Sequence, residues 1–317
     1  MMRMPGSQPQ EPLADLTETE QKLSERLKSD VHYLSREIGE RNMVTEGSME
    51  QTMKWLMDQL KDSGYRPERH RYELREGAIS HSGDDYPAAY NIIAELPGSE
   101  NPEEIIVIGA HYDSVPDSPG ANDNASAVAT LLSLADWFRE RPQKRTIRFV
   151  FFANEEPPFF YTTDMGSYAY AAQSRQQNEN ITAMLALDGL GFFSDEPGSQ
   201  LYPAPGIGLF YPDKANFIGF VTRMRDAGLL RKSISAFRDH ASVPSEGAAL
   251  PGFIPGVYWS DHWSFWQHDF PAILITDTLL YRDRQYHTPG DTPERLDYNR
   301  MARVAEGLKY TVKRLAE

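Results

Sequence analysis

Two histidines and a group of carboxylates stand where apolar runs of this chain end. His111 and Asp113 close the run IIVIGAH, Glu155 and Glu156 follow TIRFVFFA, and Asp188 follows MLAL. Asp123 sits in GANDNASA, ahead of an apolar helical stretch, and His287 lies in YHTPGDT, a dozen residues past the run AILIT. Each residue taken singly has an ordinary use: Asp123 as a helix N-cap, Asp188 before Gly189 as a turn residue, the glutamate pair as a solvated loop, His287 as a loop hydrogen-bonding group. Their shared position argues for more. In open α/β sheets ligands bind beyond the carboxyl ends of the strands. The chain has no cysteine, which excludes thiolate zinc fingers, iron–sulfur centres, disulfide scaffolds and Cys nucleophiles. Two imidazoles with several carboxylates are then a ligand set for zinc, or for manganese or cobalt.

Five segments, HYDS (111–114), GANDNASA (120–127), ANEE (153–156), LDG (187–189) and YHTPGDT (286–292), occur in this order. Together they resemble the signature segments of the co-catalytic di-zinc aminopeptidases, a family with bacterial leucyl aminopeptidase and aminopeptidase S. Glutamate carboxypeptidase, glutaminyl cyclase and the transferrin-receptor ectodomain are relatives. The resemblance runs from about Asn91 to the C-terminus. It implies a zinc exopeptidase with two Zn2+ per chain, a peptide substrate and removal of N-terminal residues. Residue by residue, it implies that Asp123 bridges two metals, that His111 and Asp188 complete one site, and that Glu156 and His287 complete the other. Glu155 is then the general base, and Asp113 steadies the His111 ring from behind. A carboxypeptidase, a dipeptidase and a glutaminyl cyclase of the same fold are the enzymatic alternatives. A receptor-like binding module is the non-enzymatic one; retention of all five ligands and the base counts against it. A serine hydrolase of the α/β type is disfavoured, because no G-x-S-x-G elbow is present.

The residue types suit that chemistry. Two divalent ions ~3.5–4 Å apart hold one water, lower its pKa toward ~7 and polarise a scissile carbonyl. Three carboxylates, Asp123, Glu156 and Asp188, leave such a pair net positive. A separate carboxylate must take the water's proton and pass it to the leaving amine. Neighbours on an extended chain point apart, so Glu155 and Glu156 are free to take different roles. Softer candidates surround this group. Ser260-Asp261-His262 reads either as part of the pocket or as a helix N-cap before an aromatic core face. Phe253, Tyr258 and Trp259 read as pocket wall or core, Asp291 as a support for the His287 loop, and Asp277 as a further support. Pro157 to Tyr161 is an aromatic insertion beside the base that departs from the usual family pattern, and residues 189–203 form a loop that caps the site.

The elements that must position these residues follow from periodicity. Apolar residues from Leu16 to Ile38 recur at helical spacing, a second helix runs from Ser48 to Ser63, and Tyr298 to Leu315 closes the chain as an amphipathic helix. Residues 66–74 are extended. Strands are expected at 91–96, 105–111, 146–153, 183–187 and 272–276, with helices at 124–139, 166–173 and 213–227. Residues 105–153 therefore form a β-α-β unit. The fold class is α/β: a mixed, mostly parallel central sheet sandwiched by helices. Residues 16–317 are read as one catalytic domain after a disordered lead over 1–15.

With 317 residues there is chain enough for a large core. Lys and Arg number 32 and Asp and Glu 46, a formal charge of −14. That argues against a nucleic-acid or anionic-membrane partner, since no basic surplus exists to neutralise phosphates. No apolar run reaches the ~18 residues of a membrane span. The N-terminus lacks the apolar core of a signal peptide, so the expectation is a cytoplasmic protein or one secreted with its signal absent from this chain.

Overall fold

The computed structural model describes residues 4–9, 12–75 and 88–317. Eight strands form one mixed sheet: β1 (Glu68–Glu73), β2 (Ala88–Leu96), β3 (Asn101–His111), β4 (Arg145–Phe152), β5 (Asn180–Leu187), β6 (Ile218–Arg223), β7 (Ser245–Leu250) and β8 (Ala272–Thr276). Their spatial order is β1-β2-β4-β3-β5-β8-β6-β7. The centre is parallel: β3 pairs with β4 and β5, and β5 pairs with β8. β1 and β2 add an antiparallel flank, and β6 runs antiparallel to β8 while pairing in parallel with β7. The central strands are buried on both faces, which explains why they read as unbroken apolar runs in the sequence.

Helices cover the two faces unequally. α1 (Glu18–His32), α2 (Ser48–Asp62), α3 (Ala127–Phe138), α5 (Ala227–Arg238) and α7 (Tyr298–Ala316) supply one large core with Ile106, Ile108, Phe149, Phe151, Ile273 and Ile275. α4 (Gly166–Gln176) and α6 (His262–Gln267) cover the other face, where Val107, Val150, Phe152, Met184 and Phe265 pack. α1 opens on a capping box: the Thr17 side chain accepts from the Glu20 amide, and Glu20 reaches back to the Thr17 amide. The α7 stripe Met301, Val304, Leu308, Val312 and Leu315 is buried as its spacing requires. The β3-α3-β4 unit is the expected parallel crossover.

Two elements differ from the sequence expectation. Residues 213–227 do not form a helix: they contain β6, and the helix starts at Ala227. The charges at Asp213, Lys214, Arg223 and Asp226 imitate a polar helix face, whereas Phe217 to Val221 is a short apolar run whose period does not separate strand from helix. β7, SEGAAL, has a glycine and two alanines where a strand signal would stand, and takes its conformation from pairing with β6. At the front of the chain, the Gln8 side chain donates to the Ser245 carbonyl (2.6 Å) and accepts from the Ser245 amide (3.0 Å), so this part of the lead lies along β7.

Candidate active site

His111 is the last residue of β3, and the carboxyl ends of β4 and β5 lead directly into Glu155, Glu156 and Asp188. α3 is preceded by one wide turn, Ala121–Ser126, that leaves helical geometry at Asp123 (φ −110°, ψ 89°) and Asn124 (φ −135°, ψ 31°). Its two asparagines fasten the turn to the loops around it. Asn124 donates to the Leu187 carbonyl and accepts from the Gly189 amide, both at 3.0 Å. Asn122 accepts from the Gly191 amide and donates to Asp277, both at 2.9 Å.

Asp123 lies at the middle of the cluster. Its Oδ1 is 3.3 Å from His111 Nε2, and its Oδ2 is 3.0 Å from His287 Nε2. His111 Nε2 is also 3.4 Å from Asp188 Oδ1 and 3.9 Å from Glu155 Oε2, and His287 Nε2 is 3.2 Å from Glu156 Oε2. The structure thus brings all six residues together, one imidazole and one further acid on each side of Asp123. Ligand atoms of His111, Asp123 and Glu156 lie within 4.8 Å of one another.

These close approaches are not hydrogen bonds. His111 Nε2, His287 Nε2, Glu156 Oε1 and Asp188 Oδ1 are buried with no hydrogen-bond partner. Atoms that converge without bonding to one another fit a cation better than they fit a polar network, since an unpaired buried polar group costs about 1–3 kcal/mol. The electrostatics agree. Burial, reinforced by Glu156 and Asp188, pushes the Glu155 carboxyl well above its ordinary range, and burial with Asp123 raises Glu156 to about 8. Against burial, Asp123 and Glu156 hold the His287 imidazolium up to about 10. The cluster is short of positive charge, which a divalent ion would supply.

The supporting residues do more than the sequence indicated. Asp113 stands behind the His111 ring, 3.4 Å from Nδ1, and its two oxygens accept from the amides of Glu155 (3.2 Å) and Glu156 (3.0 Å). Asp291 accepts from the amides of Asn122 (2.8 Å) and Asp123 (3.1 Å), so it holds the Asp123 turn as well as the His287 loop. Asp277 receives Asn122 and the amides of Phe192 and Leu279. His287 has φ 58°, a left-handed conformation uncommon for a residue with a side chain.

Ser260 and Asp261 are buried beside this group, and no side chain caps α6. Both Asp261 oxygens lack a partner, and burial raises its carboxyl to about 7. His262 points away: its Nε2 bonds the Val257 carbonyl at 2.8 Å and its ring packs edge-on against Trp266. A cavity of about 330 Å³ opens beside the acids. Pro157 and Phe160 of the insertion line it, as do Trp259 and residues 200–203, whereas Phe253 is exposed and Tyr258 packs on Trp266.

Sequence reasoning missed four residues. Arg41 is fully buried and donates to the carbonyls of Leu34, Gly39, Tyr112, Pro119 and Gly120, tying the end of the first helical segment to the HYDS and GAND loops. Arg282 does the same for Phe192, Ala215 and Phe217. Tyr286 stacks on His287 with centroids 3.7 Å apart. Glu246, on β7, lines the cavity. Nothing local in the sequence marks any of them, apart from the position of Tyr286 next to a candidate ligand.

Fold and site together define a metal-dependent hydrolase. In fold the chain is similar to BSAP, a zinc aminopeptidase from Bacillus subtilis, with a TM-score of 0.70 over 93% of this chain and 95% of that one at 15% identity. Residues 91–312 match the model of peptidase family M28, and the chain belongs to that family. It is 37% identical to protein YfbL of Escherichia coli (strain K12) over 90% of this chain and 86% of that protein. It is 25% identical to leucine aminopeptidase 1 of Paracoccidioides brasiliensis (strain Pb03), covering 82% of this chain and 64% of that one. No helix among the described residues is long and apolar enough to cross a membrane.

Proposed function

We propose that the chain is an aminopeptidase with a two-metal centre. His111, Asp123 and Asp188 would hold one divalent ion and Asp123, Glu156 and His287 the other, with zinc as the expected metal and manganese or cobalt compatible with the same donors. The observation that supports a shared ligand is that the two oxygens of Asp123 face different imidazoles, each beside its own acid. Bound there, the ions supply Lewis acidity and an activated water. Glu155, close to the cluster yet outside the two ligand sets, takes the proton of the attacking water on its carboxylate and returns it to the departing amine. Asp113 keeps Glu155 and Glu156 in register by gripping both amides. Residues 16–317 act as one catalytic domain in this reading.

The direction of cleavage follows from charge. Among the described residues, the cavity lining carries the carboxylates Asp123, Glu155, Glu156, Asp188 and Glu246 and no lysine or arginine. With Asp123, Glu156 and Asp188 given to the metals, Glu155 and Glu246 remain as counter-charge for a substrate's free ammonium, and this lining offers no lysine or arginine to receive a terminal carboxylate. Elemental analysis should return two equivalents of metal per chain. Activity on aminoacyl chromogens should be lost on chelation, return with Zn2+, and be absent from N-blocked analogues. Cleavage that survives exhaustive chelation, or that requires a free carboxyl terminus, overturns the reading.

A further inference from the structure

The cavity floor is the sheet itself. Leu274 and Thr276 of β8, Gly219 and Val221 of β6, and alternate positions 246, 248 and 250 of β7 line it. Strand register provides a ruler along this floor. Leu187 pairs with Ile275, which brings Asp188 level with Thr276; Thr276 pairs with Gly219, and Gly219 with Glu246. Leu187 and Ile275 belong to the core on the opposite face, so alternation puts Asp188 and Thr276 on the cavity side. Asp188, Thr276, Gly219 and Glu246 thus form one row across four chain segments. Three steps of ~4.8 Å give about 14 Å between the Cα atoms at its ends.

The row leads from the metal-ligand cluster over an apolar stretch to one carboxylate. Gly219, at its middle, has no side chain to block the way. At the far end, among the described residues, the Glu246 carboxylate accepts a hydrogen bond from Gln8 at 3.1 Å, and Arg238 reaches it only at the outer limit of an ion pair, 4.0 Å. Arg238 is occupied instead with Ser245 Oγ (3.0 Å) and the Pro5 carbonyl (3.2 Å). Tyr202 and Tyr211 line the same cavity, both within the field of Glu246. A lysyl side chain reaches roughly 6 Å from its Cα, a glutamyl side chain roughly 4 Å and the ion pair between their ends roughly 3 Å, about 13 Å together, so a substrate Cα close to the Asp188 end of the row brings the ammonium to Glu246.

We propose that Glu246 is a specificity-determining residue that selects substrates with a long, positively charged N-terminal side chain, lysyl or arginyl. The proposal rests on the aminopeptidase reading above. The methylene stem lies on the apolar floor, and the charged head meets Glu246 with the two tyrosine rings nearby. A neutral chain of the same length, norleucyl, gains the floor but not the carboxylate.

The test compares kcat/KM of the zinc-loaded full chain on lysyl, arginyl, norleucyl and leucyl chromogens, for the wild type and for Glu246→Gln and Glu246→Lys. The wild type should prefer lysyl to norleucyl at least tenfold. Glu246→Gln should lower the lysyl-to-norleucyl ratio by tenfold or more, and Glu246→Lys should lower it further and admit glutamyl substrates. Calorimetric titration of the metal-free chain with lysinamide and norleucinamide gives a second readout that needs no turnover, with the same order expected. Equal use of lysyl and norleucyl substrates by the wild type, or a ratio unmoved by Glu246→Gln, overturns the Glu246 assignment and leaves the aminopeptidase reading standing. Failure to cleave any aminoacyl substrate overturns the aminopeptidase reading and this proposal with it.

Discussion

At the scale of single residues, the site separates groups that do chemistry from groups that hold them. Glu155 and Glu156 are adjacent and both buried, but Glu156 faces His287 while Glu155 faces His111 at a looser 3.9 Å. Glu155→Gln should therefore keep the metal content of the wild type and lose about 10²-fold or more in kcat. Unchanged turnover alongside intact metal would remove Glu155 from its role. His111, Glu155, Glu156 and Asp188 were legible as candidates because they stand at or just past the ends of apolar strands, whereas Asp123 and His287, in a turn and a loop, stood out only through the segments around them. Their holders were less so. Asp113 and Asp291 act through backbone amides of residues 42 or more positions away, contacts that no spacing predicts. Arg41 gave no signal at all, since a lone arginine in IGERNMV looks like any surface cation until five carbonyls are found around it.

At the scale of elements, the central strands were read correctly, and of the strands under the cavity β8 was read correctly while β6 and β7 were not. β3, β4, β5 and β8 are buried on both faces and wear that burial as Val, Ile, Leu and Phe. β6 and β7 lie at the margin, carry Gly219, Gly247 and two alanines, and owe their strand geometry to pairing. The cavity rim was therefore partly legible, through Pro157, Phe160 and Trp259, while its floor on β6 and β7 was not. The helices hold one internal conflict. Asp30 on α1 is largely buried, its Oδ2 has no hydrogen-bond partner, and Arg26 is 3.8 Å away; burial raises its carboxyl to about 6. A folded-state pKa above the unfolded value means that this group favours the fold at low pH, an advantage lost as pH rises from about 4 to about 6. Asp30→Asn should stabilise the fold at pH 7–8 by on the order of 1–3 kcal/mol, read as a higher Tm, and do little at pH 4. An equal effect at both pH values would show that the carboxylate's charge is not the cause.

At the scale of the whole molecule, the acids of one cavity come from segments spread from residue 123 to residue 246, and they repel one another unless cations intervene. Metal binding would therefore be linked to folding. Exhaustive chelation should lower Tm by several degrees, and restoring Zn2+ should recover it, as read by a thermal melt followed by circular dichroism. A Tm indifferent to chelator would mean that the ligands are held without the ions' help. The net charge of −14 adds a long-range field that would favour the approach of cationic peptides and fade with ionic strength.

The clamp from Asp291 to the amides of Asn122 and Asp123 has a bearing on synthesis. A ribosome that has released residues up to 286 has made His111, Asp123, Glu155, Glu156 and Asp188, but neither the second imidazole nor the carboxylate that fixes the Asp123 turn. The nascent polypeptide thus lacks a complete candidate centre until residues 287–291 have been added.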